Sequence, residues 1–191
     1  MRYLLLGITL VALPSLSFAA GTDQRTPLER GFDGALHVCE NWILDPQQWV
    51  ENPKNLIEQA GLGAEMGMVD DVPDIALPPP SWRQNTIYWR INSTLTGGYI
   101  LVTSTTLPIC HITGGARKDD LYPVVKSVLT SADFQERWSK IDQRREGDMT
   151  SITYRSVSDP NFTLTVSHPS ESGGSLDRVQ VLASAQYAVP N

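Results

Sequence analysis

The chain has 191 residues, with 15 Lys and Arg against 21 Asp and Glu, and a formal charge of −6 at neutral pH. That balance argues against nucleic acid or an anionic membrane as the main partner, because both reward clustered Lys and Arg. No run after the first 19 residues is apolar for long enough to span a bilayer as a helix.

Residues 1–19 read as a secretory signal peptide. Arg2 supplies the basic start, Leu4 to Leu13 an apolar stretch too short to cross a membrane, and Ser17 and Ala19 the small residues at −3 and −1. Cleavage near Ala19/Ala20 leaves residues 20–191 as a single domain in the periplasm or the secreted medium. Within it, Leu28, Phe32, Ala35, Leu36, Cys39 and Ile43 recur at steps of three and four, the stripe of an amphipathic helix with Cys39 facing in. Gly31 and Gly34 oppose that helix, since each costs up to about 1 kcal/mol against Ala. Asp45-Pro46-Gln47-Gln48 has the cap, the N1 proline and the N3 glutamine of a second start, which Asn52-Pro53 repeats before a short helix over 54–60 closed by Gly61.

Residues 63–80 change character, with Gly63, Gly67, Asp70, Asp71, Pro73, Asp74 and Pro78-Pro79-Pro80. They read as an extended acidic, proline-rich connector, mobile or laid over the surface. Two β-rich runs, 86–91 and 99–105, follow as a hairpin, and a short third run carries Cys110-His111 before a Gly114-Gly115 turn. Asp119 or Asp120 caps a helix marked by Leu121, Val124, Val125, Val128 and Leu129, and 130–133 starts another in which Phe134, Trp138 and Ile141 share a face to about Asp142. Strands over 150–157, 162–168 and 176–189 end the chain. The expected fold is α+β: an antiparallel sheet of about five strands with helices packed on one face, stapled by one disulfide.

Two cysteines in an exported chain pair most often, so Cys39 and Cys110 are expected to be joined. The bridge would close about 70 residues, which the chain-entropy model values at about 4 kcal/mol. The competing reading is a cell-envelope metal site built from His37, Cys39, Cys110 and His111. Geometry opposes it, because helix residues two apart do not face each other and strand neighbours point to opposite sides.

Among catalytic signatures, G-x-S-x-G, H-E-x-x-H, S-x-x-K and C-x-x-C are absent, and the Gly61 to Gly67 run misses the dinucleotide spacing. A hydrolase with His168 or His111 as base is the third reading, resting on those residues alone. Asp70, Asp71 and Asp74 lack the closing acid and the glycine of an EF-hand. Arg137, Lys140, Arg144 and Arg145 read as cations at a helix C-terminus, favoured by its dipole. Asn92 and Asn161 head glycosylation sequons. The first expectation is therefore a non-enzymatic exported binding or accessory domain of the inhibitor or immunity type. It would need no cofactor and would meet a protein, peptide or glycan through Tyr88 and Trp89 of the hairpin, or through the acidic connector.

Overall fold

The computed structural model describes residues 24–173 and 179–188. The expected signal peptide and its cleavage point lie outside the described residues, as do parts of the expected strand over 176–189. Helix α1 (Pro27–Leu44) starts at a reciprocal capping box, in which Thr26 Oγ1 accepts from the Glu29 N–H at 3.2 Å and the Glu29 carboxylate accepts from the Thr26 N–H at 2.7 Å. Its two interior glycines have a packing reason. A Cβ on Gly31 would lie 2.0 Å from Ser93 Oγ, and one on Gly34 would lie 2.6 Å from the Leu62 side chain. Their absence lets α1 lie close against the neighbouring chain.

Asp45 caps α2 (Pro46–Glu51) by accepting from the Gln48 N–H, and α3 (Pro53–Gln59) ends at Gly61, whose φ is +68°. Leu62 then turns back, its N–H donating to Ile57 O at 3.3 Å and its side chain buried against α1, the hydrophobic contact that accompanies such a glycine cap.

The sheet has eight strands rather than the expected five. They are β1 (Met66–Val69), β2 (Thr86–Ile91), β3 (Gly97–Ser104), β4 (Ile109–Ala116), β5 (Trp138–Glu146), β6 (Met149–Ser156), β7 (Phe162–Pro169) and β8 (Val181–Tyr187). Every pairing is antiparallel, and the spatial order is β1-β2-β3-β4-β8-β7-β6-β5. Two four-strand meanders thus meet through their last strands, β4 and β8. Between them run α4 (Leu121–Leu129), capped by Asp120, and α5 (Ala132–Arg137), capped by Ser131.

Three local readings account for the missing strands. The connector over 63–80 is a folded segment: it contributes β1 at the sheet edge and a 3-10 turn at Asp74–Ala76. The second helix of the central pair stops at Arg137, and Trp138 enters β5 at φ −131° and ψ 127°. A spacing of four, Phe134 to Trp138, fits the helical period and also the even period of a strand, so the pattern did not separate them. Gly114-Gly115 is strand interior, not turn, and a Cβ on Gly114 would lie 2.4 Å from Val181 Cγ1 and 2.6 Å from the Tyr99 ring.

One sheet face carries the core. Trp89, Leu101, Cys110, Ile112, Leu164, Val166 and Ala183 pack there beneath Phe32, Leu36, Cys39 and Trp42 of α1, joined by Leu121 and Val125 of α4. Each such large apolar side chain gains about 1.5–3 kcal/mol from burial. The Cys39–Cys110 disulfide, with Cα atoms 5.4 Å apart, ties α1 to β4 in the middle of this layer. The class is therefore α+β, with the α-helices on this face. No helix among the described residues is long and apolar enough to cross a membrane.

Candidate functional site

Strand alternation sends His111 and Thr113 to the face opposite Cys110 and Ile112. There the former connector crosses the sheet. Ala76 is buried, and Thr113 Oγ1 donates to its carbonyl at 3.4 Å. Between this crossing and the strands lies a groove of about 390 Å³. Leu77, Pro78, Pro79, Trp82 and Arg83 form one wall, and His111, Thr165, Ser167, Leu182 and Ser184 form its floor. Arg83 braces the wall by donating from Nε to Pro78 O at 2.7 Å.

The floor is a cross-strand row. In register, Thr153 faces Thr165, Thr165 faces Ser184, and Ser184 faces His111. His111 Nδ1 lies 2.9 Å from Ser184 Oγ, and Nε2 lies 3.2 Å from Thr113 Oγ1. The Ala76 carbonyl only accepts, so Thr113 donates to it, accepts from the His111 Nε2–H, and leaves Nδ1 to accept from Ser184. Burial lowers the His111 pKa to about 4, so the imidazole is neutral at pH 7. Further hydroxyl pairs extend the surface, Ser151 with Ser167 at 2.7 Å and Thr153 with Thr165 at 3.2 Å. The groove floor, Leu182 apart, is therefore polar and rich in hydroxyls, with no carboxylate among its described residues.

A larger, more open depression of about 630 Å³ lies near the β2–β3 turn, with Pro73, Ile75, Arg90, Leu95 and Thr113 on its walls.

The residues singled out from the sequence are dispersed. Trp89 is fully buried, its Nε1 donating to Thr103 Oγ1 at 3.2 Å and its ring set edge-on to Trp42 at 6.1 Å. Odd residues of β2 face α1, so of the hairpin pair Trp89 is the one turned into the core. Tyr88 is on the other face, half-buried, with its OH accepting from Thr86 Oγ1 at 3.0 Å. Asp70, Asp71 and Asp74 are exposed along the crossing segment. Cys39 and Cys110 are bonded to each other, while His111 lies on the far face of the sheet and His37 turns toward α5. The four do not converge.

His168 Nδ1 lies 2.6 Å from the Pro169 carbonyl, and its ring lies 5.7 Å from that of Tyr122. The described partners of neither His111 nor His168 are carboxylates. Of the basic patch, Arg137 alone belongs to a helix end, whereas Lys140, Arg144 and Arg145 spread along exposed β5. Asn92 and Asn161 are both exposed.

Sequence reasoning missed Trp82, Thr165, Ser167 and Ser184. The alternation of strands β7 and β8 was visible, but the pairing that sets Ser184 beside His111 joins positions 73 apart in sequence. The chain matches no protein-family model, no curated protein and no solved structure, so the site rests on its own geometry.

Proposed function

We propose that the chain is an exported, non-enzymatic binding domain that takes a neutral, hydroxyl-bearing ligand, a glycan, in the groove between Trp82 and the Thr165–Ser184–His111 row. The observation that carries the reading is the groove's composition. An indole and two prolines form one wall, and hydroxyls beside an uncharged imidazole form the floor. A sugar ring presents one apolar face and a rim of hydroxyls, which matches an aromatic wall over donors and acceptors. Among the described lining residues an anionic ligand would find only Arg83 as a counter-ion, and part of that side chain is engaged by Pro78. Export is supported by the leader-like first 19 residues and by the disulfide, which persists in oxidising compartments.

The test is an NMR titration of the isotope-labelled domain with a panel of neutral oligosaccharides, repeated with Trp82→Ala. Saturable shifts at the Trp82 indole and at the Thr165 and Ser184 amides, lost in the variant, support the reading. Shifts confined to other surfaces, a response to peptides alone, or no saturable response to any member of the panel would overturn it.

A further inference from the structure

The richest cluster of ionisable side chains lies away from this groove, where α1 meets α5. Asp33 and His37 are one helical turn apart on α1, and Asp133 is in the first turn of α5. Asp33 is only 8% exposed. His37 Nε2 lies 3.8 Å from Asp33 Oδ1 and 3.6 Å from Asp133 Oδ2, and the three ligand atoms all lie within 4.8 Å of one another.

Arg137 stands among them. Its Nη2 is 2.9 Å from Asp133 Oδ2, 3.3 Å from His37 Nε2 and 3.9 Å from Asp33 Oδ1. One positively charged nitrogen thus faces all three atoms. A guanidinium has no acceptor, so Nε2 accepts and the ring proton of His37 sits on Nδ1. His37 already presents a lone pair to the centre of the cluster. The other end of the guanidinium, Nη1, is held by Glu40, which also accepts from Trp138 Nε1 at 2.9 Å.

We infer that Asp33, His37 and Asp133 form a binding site for a divalent cation of the zinc class, and that Arg137 Nη2 is the resident cation which the metal displaces. A tetrahedral ion with bonds of about 2.1 Å sets its ligands about 3.4 Å apart, so small side-chain rotations close the observed spacings. One imidazole and two carboxylates are a donor set suited to zinc, with a fourth position left for water. Arg137 does not need to leave the interface for this exchange, because Glu40 retains Nη1. Charge favours the exchange as well. Glu29, Asp33, Glu40 and Asp133 are set against Arg25 and Arg137, which leaves this group of six side chains net negative. An adjoining cavity of about 460 Å³, walled by Arg25, Glu29, Ser127 and Ser131, opens the site to solvent and gives the ion a path in.

This inference reuses His37 but does not use the cysteines. It also differs from a reading in which the cluster is only an ion-pair clamp between two helices. A clamp has no use for a second cation, whereas a metal site with a built-in competitor binds more tightly once the competitor is removed.

The experiment is calorimetric titration of the disulfide-intact protein with zinc chloride, for the unaltered chain, His37→Ala and Arg137→Gln. It is paired with imidazole NMR spectra of the unaltered chain. The expected results are one saturable equivalent of zinc, weakening by more than about tenfold in His37→Ala and tightening by about tenfold in Arg137→Gln. In the spectra the Nε2 resonance of His37 moves, while those of His111 and His168 do not. No saturable uptake, uptake indifferent to His37→Ala, zinc-dependent shifts at another histidine, or no tightening in a folded Arg137→Gln protein would overturn the inference. If Arg137→Gln fails to fold by circular dichroism, His37→Ala and the imidazole spectra decide it.

Discussion

Cys39 of α1 and Cys110 of β4 are joined with their Cα atoms 5.4 Å apart, so the first helix is fixed covalently to a central strand of the sheet across 71 residues of sequence. Both residues are essentially inaccessible to solvent and sit within the apolar layer, so the cross-link adds to a core that already exists.

Removing the bridge should therefore lower stability without erasing the fold. The double variant Cys39→Ala/Cys110→Ala is expected to lose up to about 4 kcal/mol of unfolding free energy, mainly through a less restricted unfolded chain. Urea unfolding followed by tryptophan fluorescence measures this. A loss under about 1 kcal/mol would show that the unfolded chain is not constrained by the cross-link in the way the chain-entropy account requires.

Acidification should act through His111. Its folded pKa is pushed by burial to about 4, below the ordinary value of 6.5, so the unfolded chain binds the proton more readily. The associated stability is fully present above pH 6.5 and is lost as the pH falls from there through about 4. Between pH 7 and pH 5 the unaltered protein should lose about 2 kcal/mol on this account. His111→Gln, which keeps a polar side chain between Ser184 and Thr113, should flatten the slope. An equal slope in the variant would assign the pH dependence to other groups.

Gly98 in β3 has less room for a side chain than Gly97 or Gly114. A Cβ there would lie 2.1 Å from the backbone oxygen of Ile91, which has no flexible end to move aside. Gly98→Ala is expected to cost about 1–3 kcal/mol. The control is Gly67→Ala in β1, where nothing lies within 4 Å of the added carbon. Thermal denaturation of the two proteins side by side tests the pair, and equal melting temperatures would refute the close approach.

The local signals were readable where the interactions are themselves local. Asp45, Asp120 and Ser131 each accept from a backbone N–H two or three residues ahead, so their caps were visible as short motifs. The stripe from Leu28 to Ile43 marked α1, and the count of two cysteines pointed to their pairing. The segment 138–146 was misread because Phe134 and Trp138 satisfy helix and strand spacing alike. Gly114-Gly115 was misread because a glycine that admits a neighbouring ring looks the same in sequence as one that makes a turn.

By itself, then, the sequence determined the class, the capped helices, the cross-link and the side of β4 on which Cys110 would lie. Those features follow from periodicity and from contacts spanning a few residues. Only the tertiary structure decided that β8 lies beside β4, that residues 70–83 cross the second face, and that Asp133 and Arg137 meet His37 nearly a hundred residues away. The physical reason is that strand register and helix docking are chosen by how whole apolar faces fit. A shift of one residue along β8 would bury Ser184 and expose Ala183, and no short stretch of chain carries that comparison.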